Sequence, residues 1–166
     1  LVDPNTFLTL PEANEIGIMM GHNTYTEGKY FVTGTIKSID FKKGTEDLND
    51  YGNMTIEDEN GNTFYLYGLY SVDGAVRFDK MDPKPAVGDT ITVYGILGQY
   101  NGKAQMKNAW ILEYTTPSTL PAVSEIGVAN PNYDTGKYLV TGTITEIVND
   151  TYGNVYIQDA DGNTLY

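Results

Sequence analysis

Residues 51–65 read YGNMTIEDENGNTFY, and residues 152–166 read YGNVYIQDADGNTLY, identical at nine of fifteen positions. In the first copy Met54 and Ile56 alternate with Thr55 and Glu57, the period of two expected of a half-buried strand. Asn60-Gly61-Asn62 then supplies a turn, because glycine takes positive φ without a Cβ penalty and Asn hydrogen-bonds its own backbone. Phe64 and Leu66 resume the apolar side and Tyr65 and Tyr67 the opposite one. The stretch therefore predicts a hairpin whose two strands share one buried face.

The same period extends outward. Upstream, Tyr30, Val32 and Ile36 alternate with Thr33, Thr35 and Lys37, a first strand in which Gly34 marks a bend or bulge. Downstream, a polar and irregular stretch from about Tyr70 to Val87 precedes a fourth strand opened by Ile91 and Val93. Asn101-Gly102 closes a second hairpin, and a fifth strand runs from about Ala104 to Leu112. One helix is predicted, before all of these. Thr9 is its N-cap, Pro11 lies near the first turn, Glu12 and Glu15 come early, and Ile16, Met19 and Met20 share a face.

The repeat is wider than the hairpin. Leu10-Pro11 and Glu15-Ile16-Gly17 recur at Leu120-Pro121 and Glu125-Ile126-Gly127; Gly28-Lys29-Tyr30 recurs at Gly136-Lys137-Tyr138, and Val32–Ile36 at Val140–Ile144. The spacing narrows along the chain, which puts deletions in loops, where they are tolerated. A repeat this long is a tandem domain rather than a solenoid unit. The expected organisation is a terminal segment, short helix and complete barrel over 1–114, a linker TTPST at 115–119, and the first half of a second barrel over 120–166.

Five strands, a long first strand with a central glycine, a hairpin of strands two and three, and a connection between strands three and four describe a mainly β fold. It is a small Greek-key barrel of the OB type, preceded by a short helix and followed by a partial second copy. The runs GKYFVTGTI, YGNMTIEDENGN, FYLYGLY and PAVGDTITVYGILGQYNGKAQMKNAWI resemble the OB-fold modules of bacterial secreted and cell-surface proteins, a nucleic-acid-binding-like family. The resemblance implies the barrel and an extracellular or bacterial cell-surface setting; it names no ligand, since the fold hosts many.

Charge narrows the partners. Twenty-two acidic and ten basic side chains give the 166 residues a net charge of −12, half of it in 111–166. Such a field repels phosphate backbones, so nucleic acid is disfavoured. No cysteine offers a thiolate or disulfide, and no apolar run approaches a membrane span. Leu1 in place of an initiating Met implies an excised or processed segment.

For catalysis the inventory is thin, and a non-enzyme is expected. His22 is the only histidine, in a GHNTY stretch that predicts a solvent-facing loop, and no serine sits in a nucleophile motif. Asp159, Asp161 and Asn163 in DADGN echo the start of a calcium loop but lack its closing Glu; the turn reading is preferred, and no cofactor is expected beyond that calcium alternative. A ligand face would carry Tyr51, Thr55, Tyr65, Tyr67 and Tyr100, with cross-strand stabilisation as the alternative role for the tyrosines. The nearby Lys37, Lys103 and Lys107 are expected to sit among Glu57, Asp58 and Glu59.

The second copy lacks counterparts of Leu66 through Trp110. At about 1.5 to 3 kcal/mol per buried side chain, the missing half withholds on the order of 10 kcal/mol. The expectation is either a longer tandem array or completion by a neighbouring molecule, with Tyr156, Ile157, Leu165 and Tyr166 at the assembly edge. Function is thus expected to be structural: a non-catalytic surface or filament module joined by strand pairing between repeats or chains. The alternative is a ligand-binding barrel for an oligosaccharide or single-stranded nucleic acid.

Overall fold

The computed structural model describes residues 7–129 and 138–166. Gly136 and Lys137 of the repeated GKY lie outside these residues, as do residues 1–6 of the expected terminal segment. Two compact units meet between Tyr114 and Thr115.

The first unit opens with β1 (Phe7–Leu8) and α1 (Leu10–Met19). Thr9 caps α1 as its sequence predicts: its Oγ1 accepts from Glu12 N–H, and Glu12 Oε2 accepts from Thr9 N–H at 2.8 Å, a reciprocal capping box. The buried stripe differs from expectation. Leu10, Ala13 and Gly17 face the core, Ile16 only flanks it, and Met19 is 79% exposed. A small-residue stripe lets α1 lie close to the barrel. A Cβ on Gly17 would stand 2.8 Å from the Gly98 carbonyl oxygen and 3.0 Å from Ala104 Cβ.

Five strands follow: β2 (Tyr25–Ile39), β3 (Met54–Glu57), β4 (Thr63–Tyr70), β5 (Thr90–Tyr100) and β6 (Lys103–Pro117), with a short 3-10 turn, Phe78–Lys80, in the connection after β4. The order β2-β3-β4-β6-β5 closes through β2–β5 pairing, and β4 runs parallel to β6. The molecule is therefore mainly β, with a closed five-stranded barrel consistent with the OB-like expectation. Alternation places Val32, Ile36, Met54, Ile56, Phe64, Leu66, Ile91, Val93, Leu97 and Met106 inside. The bulge in β2 lies between Ile36 and Ser38 rather than at Gly34. Gly34 instead permits close approach: a Cβ there would meet Glu57 O at 3.1 Å and Ile56 Cβ at 3.2 Å.

The second unit is α2 (Leu120–Ala129), β7 (Tyr138–Leu139), β8 (Thr143–Asn149), β9 (Asn154–Gln158) and β10 (Thr164–Leu165). In the segment TTPST at 115–119, β6 continues through Pro117, and Thr119 caps α2 by accepting from Ala122 N–H. Pro117 pairs in parallel with Leu139, as Phe7 pairs with Phe31. In the sheet β10-β9-β8, Thr143, Ile144, Glu146 and Ile147 face Gln158, Ile157, Tyr156 and Val155. In the first unit Thr35, Ile36, Ser38 and Ile39 face Glu57, Ile56, Thr55 and Met54, the same register with the same bulge. Gly142 repeats the approach of Gly34, at 3.0 Å from Gln158 O and 3.2 Å from Ile157 Cβ. The burial differs: Ile36 and Ile39 are 1% and 7% exposed, Ile144 and Ile147 59% and 63%.

Candidate functional site

The outer side of β4 and β6 carries Tyr65 and Tyr67, with Tyr25 and Tyr100 beside them. Parallel pairing sets Tyr65 beside Gln105 and Tyr67 beside Lys107, and alternation turns all four away from the core residues Phe64, Leu66 and Met106. Two recesses divide this face.

The first has a volume of ≈ 290 Å³ and is lined by Asn23, Tyr25, Tyr67, Tyr100, Gln105 and Lys107. Gln105 is a buried polar residue whose Nε2 donates to Tyr25 Oη at 2.6 Å, and Lys107 Nζ stands 5.0 Å from the Tyr25 ring centroid. Tyr67 and Tyr100 are exposed at the rim. The loop residues behind the rim are braced: Asn23 N–H donates to Gln99 O at 2.9 Å, Gln99 Nε2 to Met20 O at 3.0 Å, and Gly102 N–H to Gln99 Oε1 at 2.8 Å. His22 is exposed, as expected of its loop, yet it has partners. Its Nδ1 accepts from Asn101 N–H at 3.2 Å, and its ring lies 4.9 Å from that of Tyr100.

The second recess, ≈ 240 Å³, is lined by Asn14, Thr55, Thr63, Phe64, Tyr65, Lys103 and Ala104. Tyr65 here is half-buried and committed. Its hydroxyl donates to Asp40 Oδ2 at 2.7 Å, and Lys103 Nζ lies 3.6 Å from its ring centroid. Burial first, then the Asp40 hydrogen bond, pushes its phenol well above the ordinary tyrosine range.

Of the five residues singled out as a ligand face, the fold thus brings Tyr67 and Tyr100 into one recess and Thr55 and Tyr65 into another. Tyr51 stands in neither: Arg77 covers its ring at 4.8 Å, and Asp79 binds that guanidinium through both Nε and Nη2. This pairing holds the Asp79 carboxyl far below the usual aspartate range. Of the three lysines, only Lys37 pairs with the acidic hairpin, through Glu57; Lys103 and Lys107 lie over tyrosine rings. Asn23, Tyr25 and Gln105 escaped the sequence reading of the site, which placed Lys107 near the tyrosines but among acidic side chains.

The DADGN turn is built from its own side chains. Asp159 Oδ1 accepts from Asp161 N–H at 3.1 Å and Asn163 N–H at 2.8 Å, and Oδ2 accepts from Asn163 Nδ2 at 2.9 Å. These bonds hold the Asp159 carboxyl below its ordinary value. The first-unit turn is the same in kind, with Asp58 bound by Asn60 and Asn62. Among the described residues no group of three or more His, Cys, Asp or Glu is arranged to hold a metal ion.

At the expected assembly edge, Leu165 pairs with Ile157. Tyr156 and Tyr166 form an aromatic contact, 5.0 Å between centroids, and Tyr166 accepts from Asn154 Nδ2 at 3.0 Å. Among the described residues no helix is long and apolar enough to cross a membrane. Comparison with protein-family models finds none that matches the chain, and comparison with curated proteins likewise finds no match.

Proposed function

We propose that this chain is a non-catalytic structural module of an extracellular or bacterial-surface protein, made of OB-type barrels in tandem. The second unit is the first half of another barrel. Strand pairing and burial of its apolar side join repeats or chains.

The observation that carries this reading is the contrast between matched register and unmatched burial. Apart from Asn149–Asn154 at the far end, the paired positions of β8–β9 and β9–β10 have their equivalents in β2–β3 and β3–β4, including the bulge after Ile144 that matches the one after Ile36, yet Ile144 and Ile147 are open where Ile36 and Ile39 are closed. A contiguous apolar side of that kind marks a surface that is covered in the working assembly. In the first unit the cover is β5 on β2 and β6 on β4; β8 and β10 are the edge strands of their own sheet. Two strands with the alternation of β5 and β6 would close the second barrel, whether they belong to the next repeat or to a neighbour. Unpaired strand edges make such addition favourable.

Analytical ultracentrifugation of the 166-residue chain tests this. Concentration-dependent association is expected, with slowed amide exchange over residues 143–165 on association. The double variant Ile144→Lys, Ile157→Lys should stay monomeric. A wild-type chain that is monomeric at all concentrations, with residues 143–165 already fully protected, sinks the reading.

A further inference from the structure

We propose that the recess between β4, β6 and the start of β2 binds an acidic sugar: one or two pyranose rings, one bearing a carboxylate. The proposal is independent of how the second unit is covered, because the lining residues all belong to the first.

Size sets the first limit. At ≈ 290 Å³ the recess lies just under the range of about 300 to 1,000 Å³ usual for drug-sized ligands, which limits it to a small one. Lining chemistry sets the second. Three tyrosines, two amides and one ammonium surround the space, with no aliphatic wall and no carboxylate. An apolar ligand would strand those polar groups, whereas a sugar ring offers hydroxyls for Asn23 and Gln105 and a C–H side for a tyrosine face. Lys107 is the single charge of the lining in a chain of net −12. A cation kept alone at such a place matches one anionic substituent and leaves a polyphosphate strand opposed by the surrounding field.

Topology removes a competing occupant. Peptides that bind sheets add a strand to a free edge, and in the closed barrel β4 is paired on both sides, by β3 and β6, and β5 by β2 and β6. Recognition here has to come from side chains. Those side chains are already held: Gln105 is buried and bonded to Tyr25, Lys107 is seated by the Tyr25 ring, and the Tyr100 rim is braced through Gln99 and His22. A recess ordered before binding loses less entropy when occupied.

The test is a two-dimensional amide NMR titration of the whole chain with digalacturonate, cellobiose and a short oligothymidylate. The expected result is saturable shifts at Asn23, Tyr67, Tyr100 and Lys107 with digalacturonate, and at least about tenfold weaker binding of cellobiose, the loss of one charge-assisted contact. Lys107→Met should bring digalacturonate down to the cellobiose level, Tyr67→Ala should weaken both sugars, and Tyr65→Phe, in the other recess, should weaken neither. Variant spectra that keep the wild-type dispersion exclude unfolding as the cause. The proposal is overturned if digalacturonate shifts no recess amide, if Lys107→Met leaves its affinity unchanged, or if oligothymidylate binds the recess more tightly than either sugar.

Discussion

Tyr65 donates its phenolic proton to Asp40 Oδ2 across 2.7 Å, and this bond ties β4 to the residue just after β2. Tyr65→Phe removes it while keeping the ring under Lys103. The expected cost is about 0.5–1.5 kcal/mol at neutral pH, as for one partly exposed hydrogen bond. The pH dependence has a definite sign. The folded phenol is raised, so its contribution is complete below about pH 10, where the unfolded phenol is still protonated, and is lost as pH climbs through the folded value. Denaturant unfolding at pH 7 and pH 11 checks both parts: wild type should lose more stability on that climb than Tyr65→Phe does.

Gly17 and Gly127 occupy equivalent helix positions and make opposite predictions. A Cβ at Gly17 meets the backbone oxygen of Gly98, so Gly17→Ala forces α1 away from the barrel and should cost about 1–3 kcal/mol. A Cβ at Gly127 meets nothing within 4 Å. Gly127→Ala should therefore gain the ordinary helix preference of about 0.5–1 kcal/mol. Calorimetry of the two variants separates them: the first lowers a melting transition, and the second raises one or leaves it in place.

Local period explains what the sequence made legible. Met54, Ile56, Phe64, Leu66, Ile91 and Val93 alternate with polar residues, and all six are buried in the barrel. Thr9, Pro11 and Glu12 mark the start of α1 because capping chemistry is confined to one turn. The helix face was not legible, since Ile16 and Met19 outrank Ala13 and Gly17 in hydrophobicity while the close packing of α1 demands small residues. The recess was half legible. Alternation assigned Tyr67 to the outer side, but the neighbours of Tyr67 are Gln105 and Lys107 on a strand nearly forty residues away, joined only by the parallel β4–β6 pairing. No local pattern contains that register, and the start of β2 at Tyr25 rather than Tyr30 hid the third tyrosine.

Asp58 and Asp159 fold their turns as carboxylates. Each is held below its ordinary value, chiefly by a side-chain hydrogen bond from Asn62 or Asn163. A depressed carboxyl stabilises the fold above its unfolded value and loses that contribution as pH falls through the folded one. Stability should begin to fall below about pH 4, and Asp58→Asn and Asp159→Asn should flatten that decline. Thermal melts between pH 2 and pH 7 measure it. Melts with millimolar calcium and with chelator should coincide if the carboxylates serve their turns alone, and a calcium-dependent rise abolished by Asp159→Asn would restore the metal-loop reading.

Ile36 and Ile144 provide the most direct comparison between the two units. They face the paired residues Ile56 and Ile157 at the same register, but only Ile36 is enclosed. Ile36→Ala opens a cavity in the closed barrel and should cost about 2–5 kcal/mol at any protein concentration. Ile144→Ala removes a side chain that is largely in water already, so its cost in dilute solution should stay within about 0.5 kcal/mol. If the apolar side of the second unit is covered on assembly, the Ile144→Ala penalty must grow with protein concentration, because association stabilises only the form that buries the side chain. Denaturant midpoints of both variants over a hundredfold concentration range decide it. A constant, negligible Ile144→Ala penalty alongside a large Ile36→Ala one would mean that matched register does not bring matched burial, and that the second sheet works uncovered.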